Sequence, residues 1–324
     1  ADNRYRLFVN GQPVCFGPAR GDLKNWFFET VDIADYLEEG KNTIAAVVYN
    51  FGVHKPDAQI SAQTALIVQG NTIEEYAANT DKSWKVIKNP AYSPLKVEKM
   101  HDVRGGFLAG ACDSVDGHQY PWEWETNDYD DANWDTAKEL YRGEPVDYQA
   151  VHHSPWHLKQ RTIPFLEEKK TNDFETEYLR ASVDDPPSGL ELKELKIPAN
   201  QRVEILLDAR YLTTGFPEII VSRGKGTKIK ISYAEELYLK GQKDSLGNFI
   251  GEAQLKGNRN IVKNKTFVGY HDVFIADGGK NRTFRPLWFR TFRYVLFEIE
   301  TADEAIVIDD FYHIFTAYPF REKA

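Results

Sequence analysis

Phe284-Arg285-Pro286-Leu287-Trp288-Phe289-Arg290-Thr291-Phe292-Arg293-Tyr294-Val295 is the stretch on which the fold turns. Aromatic and β-branched residues at this density, with arginines between them, predict a strand entering a β-sandwich core. The same signature spreads outward. Val203-Glu204-Ile205-Leu206-Leu207, Glu218-Ile219-Ile220-Val221, Lys228-Ile229-Lys230-Ile231-Ser232-Tyr233 and Tyr294-Val295-Leu296-Phe297-Glu298-Ile299 each fit a pleated, half-buried face. Ile306-Val307-Ile308 and Phe311-Tyr312-His313-Ile314-Phe315 add two more, and Arg223-Gly224-Lys225-Gly226 supplies a turn.

The front of the chain has shorter strands. Tyr5, Leu7 and Val9 alternate with their neighbours, and Asn10-Gly11 is a strong hairpin signal. Asp32-to-Leu37 predicts one helical turn stopped by Gly40, and Asn42-to-Tyr49, Thr64-to-Val68 and Ser83-to-Val86 predict further strands. No period of 20–50 residues recurs, which excludes a repeat architecture. The fold class expected is all-β: two β-sandwich domains of jelly-roll type with few short helices. Their expected bounds are 1–160 and 161–324, with residues 99–160 shared between return strands of the first domain and a bridge to the second. The 324 residues suit two such cores.

Composition narrows the function. There are 49 acidic against 40 basic residues, a net charge of −9. A protein that tracks a phosphate backbone needs the opposite balance or a basic stripe, so nucleic acid is not an expected partner. No apolar run approaches the ~18 residues of a membrane-spanning helix. Cys15 and Cys112 are the only cysteines; they predict buried small hydrophobes, with a single bridge as the alternative in an oxidising compartment. The chain opens with Ala1-Asp2-Asn3 directly into a strand, and Met100 is its one methionine; the expectation is a fragment lacking residues at both ends.

Paired carboxylates are what a glycosidase would need. Glu235-Glu236 and Asp309-Asp310 are adjacent, so on a strand their side chains point to opposite faces. Glu123/Glu125 and Glu298/Glu300 have i, i+2 spacing, but the reading preferred for all of them is a solvated strand face. Asp128, Asp130, Asp131 and Asp135 lack the glycine and distal glutamate of a calcium loop, and Asp131 reads as a capping residue. His153 and His157 have metal-ligand spacing, but Pro155 breaks the register. A nucleophile elbow and a phosphate-cradling glycine loop are both absent.

Aromatic display remains. Trp26, in Gly21-Asp22-Leu23-Lys24-Asn25-Trp26, and the Trp122-Glu123-Trp124-Glu125 run combine indoles with polar groups that could read sugar hydroxyls. The competing reading is core packing, with Trp122 and Trp124 on one face of a strand and the glutamates on the other.

The order of motifs resembles the front of bacterial, Bacteroidetes-type α-L-rhamnosidases of glycoside hydrolase family 78. The resemblance rests on Val9-Asn10-Gly11, Gly17-to-Asp22, Val31-to-Leu37, Gly40-to-Ala45, Tyr129-to-Trp134 and Arg161-to-Glu168 in the first half. Leu207-Asp208-Ala209-Arg210, Tyr233-Ala234-Glu235, Gly257-Asn258-Arg259, Tyr270-to-Phe274 and the closing Phe284–Val295 stretch follow in the second. Family 2 β-glycosidases carry a similar jelly roll and are the alternative family. The resemblance implies a galactose-binding-like sandwich, then a concanavalin-like one, then a catalytic α/α barrel that this chain does not contain. It also implies rhamnose-containing glycans as ligand, the barrel of the same parent as partner, and a periplasmic or extracellular setting. By the same resemblance Asp22 is a candidate in calcium-assisted rhamnose binding, with Ca2+ as the one cofactor to test and Asp22, Trp26, Trp122 and Trp124 as candidate carbohydrate-binding residues. A structural module without sugar affinity is the bland alternative.

Overall fold

The computed structural model describes residues 1–95, 110–146, 154–181, 192–239 and 256–321. They are almost entirely β, with only short 3-10 turns between strands. They fall into two compact units, one drawn from Ala1–Asn89, Phe107–Gly110 and Pro121–Phe165, the other from Pro90–Gly106, Ala111–Tyr120 and Leu166–Ala324.

In the first unit Arg4–Val9 lies between Gln12–Gly17 and Ile44–Tyr49, antiparallel to both. The hairpin closes through Asn10 and Gly11, both at positive φ (49° and 79°), which is the geometry a tight two-residue turn requires. Asn10 then ties the turn down: its Nδ2 donates to Tyr36 O (2.9 Å) and its Oδ1 accepts from Thr43 N–H (2.8 Å). Tyr5, Leu7 and Cys15 form a small core, packed by half-buried Val14, Val31, Ile44, Ala46, Val48 and Leu66. A second, parallel sheet joins Trp26–Phe28, His157–Gln160 and Glu144–Pro145. The expected strand at Thr64–Val68 is not formed; only Ala65 bridges, to Asp2.

The second unit is dominated by Arg202–Arg223, a 22-residue strand where the sequence suggested two. Its first half pairs with Glu175–Ala181 and Arg290–Glu300, its second with Ile306–Phe315 and Arg282–Phe284. The change of partners occurs at a register shift between Asp208 and Thr213, where Arg210 takes φ 65°. Lys228–Ala234, Tyr270–Ile275, Cys112–Asp116 and Tyr92–Leu95 extend the network in that order. The last two strands therefore belong to the second unit's sheet and not to the first sandwich. Alternate residues are buried along the ends of two strands: Ile229 and Ile231 on one, and Val295, Phe297 and Ile299 on the other. Phe297 meets Phe311 edge to face with ring centroids 4.8 Å apart, so strands from the two pairings of the long strand close on one another as a sandwich core.

The stretch from Phe284 to Val295 is not one strand. It turns after Phe284 and resumes at Arg290, because Pro286 cannot donate to a ladder. Its three arginines are drawn inward by buried acids. Arg285 Nη1 donates to Glu218 (2.9 Å) while its guanidinium lies 3.9 Å from the Phe216 ring centroid. Arg293 grips Asp208 through two nitrogens at 2.8 Å each. Arg290 does the same to fully buried Asp272, at 2.9 and 2.5 Å, with Asp113 3.5 Å away.

Candidate functional site

A small crevice in the first unit is lined at one side by Gly21 and Trp26, the two ends of a tight turn. Asp22 and Asn25 exchange backbone hydrogen bonds at 3.1 Å. Asp22 Oδ1 accepts from Lys24 N–H (2.7 Å), and both carboxylate oxygens accept from the Asn25 amide (3.0 and 2.9 Å). The Lys24 amide, then the Asn25 side chain, hold the Asp22 carboxyl below its ordinary value. The turn is so tight that a Cβ on Gly21 would lie 1.9 Å from Asn25 O, so only glycine fits. Trp26 follows, 6% exposed, on the strand that pairs in parallel with Leu158–Gln160.

Asn3, Arg4, Pro18, Gln59 and Ile60 face this turn across the crevice, with Gly21, Trp26 and Phe27 in its lining. Arg4 is 4% exposed; its Nη1 donates to Pro18 O (2.5 Å) and its Nη2 to Gln59 Oε1 (2.7 Å). Asn3 donates from Nδ2 to Ile60 O. Below, the Glu29 carboxylate accepts from Ala19 N–H (2.7 Å), Tyr5 Oη (3.0 Å) and Arg161 Nη1 (3.0 Å). Burial, with Cys15 and Glu29 alongside, pushes the Tyr5 phenol far up, so it stays a donor. The crevice encloses only about 10 Å3, room for a single oxygen.

Of the candidate residues, Asp22 and Trp26 belong to this turn and strand, and Trp26 lines the crevice. Trp122 and Trp124 do not line it. They sit in a turn with Glu123 at φ 67°, not on a strand, and Trp124 packs edge-on against Phe8 at 5.5 Å. None of the seven tryptophans is among the exposed large hydrophobics. Asn3, Arg4 and Gln59 escaped the sequence reading, because buried polar residues carry no periodic signal.

At least one member of three of the four carboxylate pairs is engaged by a neighbouring side chain. Glu235 is exposed and Glu236 is buried, and Glu236 pairs with Lys256 and Arg259 (3.0 Å). Glu298 pairs with Lys230 at 2.5 Å, Asp309 accepts from Ser222 Oγ at 2.7 Å, and Asp310 pairs with Lys170 at 3.2 Å. Glu123 is exposed and Glu125 half-buried, its carboxyl raised by burial. In the aspartate cluster it is Asp130, not Asp131, whose side chain closes the turn, accepting from Ala132 N–H at 3.0 Å. His153 lies outside the described residues. Among the described residues no group of three or more His, Cys, Asp or Glu side chains is placed to hold a metal. Cys15 and Cys112 are both buried and are not bridged by a disulfide, and no described helix is long and apolar enough to cross a membrane.

No protein-family model matches the chain, and no curated protein sequence matches it. Solved structures do. A GH78 family rhamnosidase of Bacillus sp. GL1 superposes with a TM-score of 0.62 at 12% identity, covering 99% of this chain and 51% of that one. The fold is shared with α-L-rhamnosidases. The enzymes from Dictyoglumus thermophilum and Aspergillus terreus each superpose with a TM-score of 0.51, at 17% and 16% identity. Those matches cover 97% and 98% of this chain but 29% and 31% of theirs. The chain thus spans between under a third and about half the length of these rhamnosidases, and the all-β architecture expected from its motif order is the one they contain.

Proposed function

We propose that the chain is the non-catalytic β-sandwich portion of a family 78 α-L-rhamnosidase, a scaffold for the catalytic barrel of its parent that also contacts rhamnose-bearing glycans. The observation that carries this reading is the superposition of 99% of the chain on half of a rhamnosidase. Two features support the absence of hydrolysis by the chain itself. Glu236, Glu298, Asp309 and Asp310 are each held by a neighbouring cation or hydroxyl. Glu235 is exposed while Glu236 is buried, so the two are not presented together at one open surface.

A scaffold without sugar affinity is the second reading, and one observation favours it: no tryptophan is presented as an open platform. Calorimetric titration with L-rhamnose, with calcium and then with chelator, separates the two. Heat that saturates supports glycan contact, and a calcium requirement would assign Asp22 a role in it. No heat in either buffer leaves the scaffold. Turnover of an aryl α-L-rhamnoside by the pure chain would overturn the non-catalytic reading outright.

A further inference from the structure

Two residues that line the crevice of the first unit, Asn3 and Trp26, each carry a buried polar atom that the protein itself does not satisfy. Trp26 Nε1 and Asn3 Oδ1 are buried without a hydrogen-bond partner in the chain, on residues 6% exposed each. Both residues line the same crevice. A buried donor or acceptor left unmade costs roughly 1–3 kcal/mol, and a buried indole N–H usually finds a partner. The orientation of the Asn3 amide is set by its other end: Nδ2 donates to Ile60 O, and a flipped amide would put two oxygens together. The Nη1 and Nη2 donors of the lining guanidinium of Arg4 are engaged by Pro18 O and Gln59 Oε1.

One orphan is a donor and the other an acceptor, and the space admits one oxygen. Of these two atoms, an anion would satisfy only the indole, and an ammonium only the amide oxygen. A hydroxyl satisfies both, because its oxygen accepts while its proton is donated. We propose that this crevice is a single-hydroxyl site, with Trp26 Nε1 donating to the bound oxygen and Asn3 Oδ1 accepting its proton. Two sources offer that chemistry, a water molecule and one hydroxyl of a sugar whose ring stays outside. The site does not depend on the rhamnosidase reading.

The test is nuclear magnetic resonance of the 15N-labelled full chain, with the Trp26 indole N–H signal assigned by its loss in Trp26→Phe. Cross-relaxation from that proton to a long-lived water, unchanged by methyl α-L-rhamnopyranoside, supports the site with water in it. A saturable shift of the signal with the glycoside, weakened at least tenfold in Asn3→Ala, supports it with a sugar hydroxyl. Neither a long-lived water nor a shift in the wild-type chain overturns the proposal, and so does a shift that Asn3→Ala leaves intact. The wild-type measurements decide even if Asn3→Ala fails to fold. Calorimetric heat with L-rhamnose but no response at Trp26 would place glycan binding elsewhere and leave the function proposal standing.

Discussion

The two units solve the same problem with different materials. The second buries a long series of apolar side chains completely, including Ile205, Ile219, Ile229, Ile231, Phe274, Phe297, Ile299 and Ile306 at 0% exposure. Among them it locks arginines onto carboxylates. The first has a small cluster of Tyr5, Leu7 and Cys15 at 7–8% exposure with half-buried neighbours, and few fully buried apolar side chains, Val9 among them. It also buries Asp2, Asn3, Arg4 and Gln59. Its order comes from side chains bonded to backbone: Asp2 Oδ2 accepts from Ala62 and Gln63 N–H at 2.7 and 2.9 Å and from Trp156 Nε1 at 3.2 Å. A sheet-built core tolerates little change of volume or charge.

The sharpest way to break this contrast is to remove a buried charge from the second unit. Arg290→Met leaves Asp272 and Asp113 without their cation and is expected to cost about 3–5 kcal/mol. Urea unfolding followed by amide exchange in Arg290–Glu300 checks it; a loss under about 1 kcal/mol would mean the pair only offsets its own desolvation.

A matched pair of cavities compares the cores directly. Phe297→Ala should cost about 3–5 kcal/mol, because Phe297 is fully enclosed and packs on Phe311. Leu7→Ala should cost nearer about 2 kcal/mol, since its half-buried neighbours can close over the gap. Equal losses, read by exchange in Arg4–Val9 and Arg290–Glu300, would erase the distinction.

The smallest effect is a pH slope. Burial first, and Asp272 second, push the Asp113 carboxyl from 3.8 up to about 7 against the pull of Arg290. The folded state then holds a proton that the unfolded chain releases between those values. The stability that this group contributes is full below 3.8 and is lost as the pH rises through about 7. Asp113→Asn removes the slope while an amide oxygen can still accept from Leu287 N–H, now bonded at 2.7 Å. Between about pH 5 and about pH 8 the second unit of the wild type should lose on the order of 1 kcal/mol more than the variant, by urea midpoint. Parallel slopes would show that the proton resides elsewhere in the cluster.

Much of the second unit was legible in the sequence because period-2 alternation and burial coincide there. Lys228-to-Tyr233 and Tyr294-to-Ile299 were readable as strands with the correct faces. Where alternation is interrupted, legibility fell. Arg202–Arg223 reads as two strands because Arg210, Tyr211 and Leu212 are exposed at its bend. Thr64–Val68 has strand-forming residues but finds one bridge only. Trp122 and Trp124 have strand spacing yet sit in a turn with Glu123 at positive φ, which spacing cannot reveal. At the candidate site, Asp22 and Trp26 were visible as polar groups beside an indole. Asn3, Arg4 and Gln59 were not, because the contacts that bury them join positions more than 50 residues apart.

By itself the sequence determined the class: strand-forming residues in alternation, punctuated by turns, can hide their apolar faces only by stacking sheets. It also determined local geometry such as the Asn10-Gly11 hairpin and the glycine at 21, because those depend on backbone sterics within a few residues. Tertiary structure alone decided which charges are buried and with whom. Arg285, Arg290 and Arg293 look like solvated strand residues until Glu218, Asp272 and Asp208 arrive from other strands. It alone decided that Trp26 and Asn3 line one crevice with a donor and an acceptor unmatched. Desolvation depends on everything packed around a group, and no window of sequence contains that information.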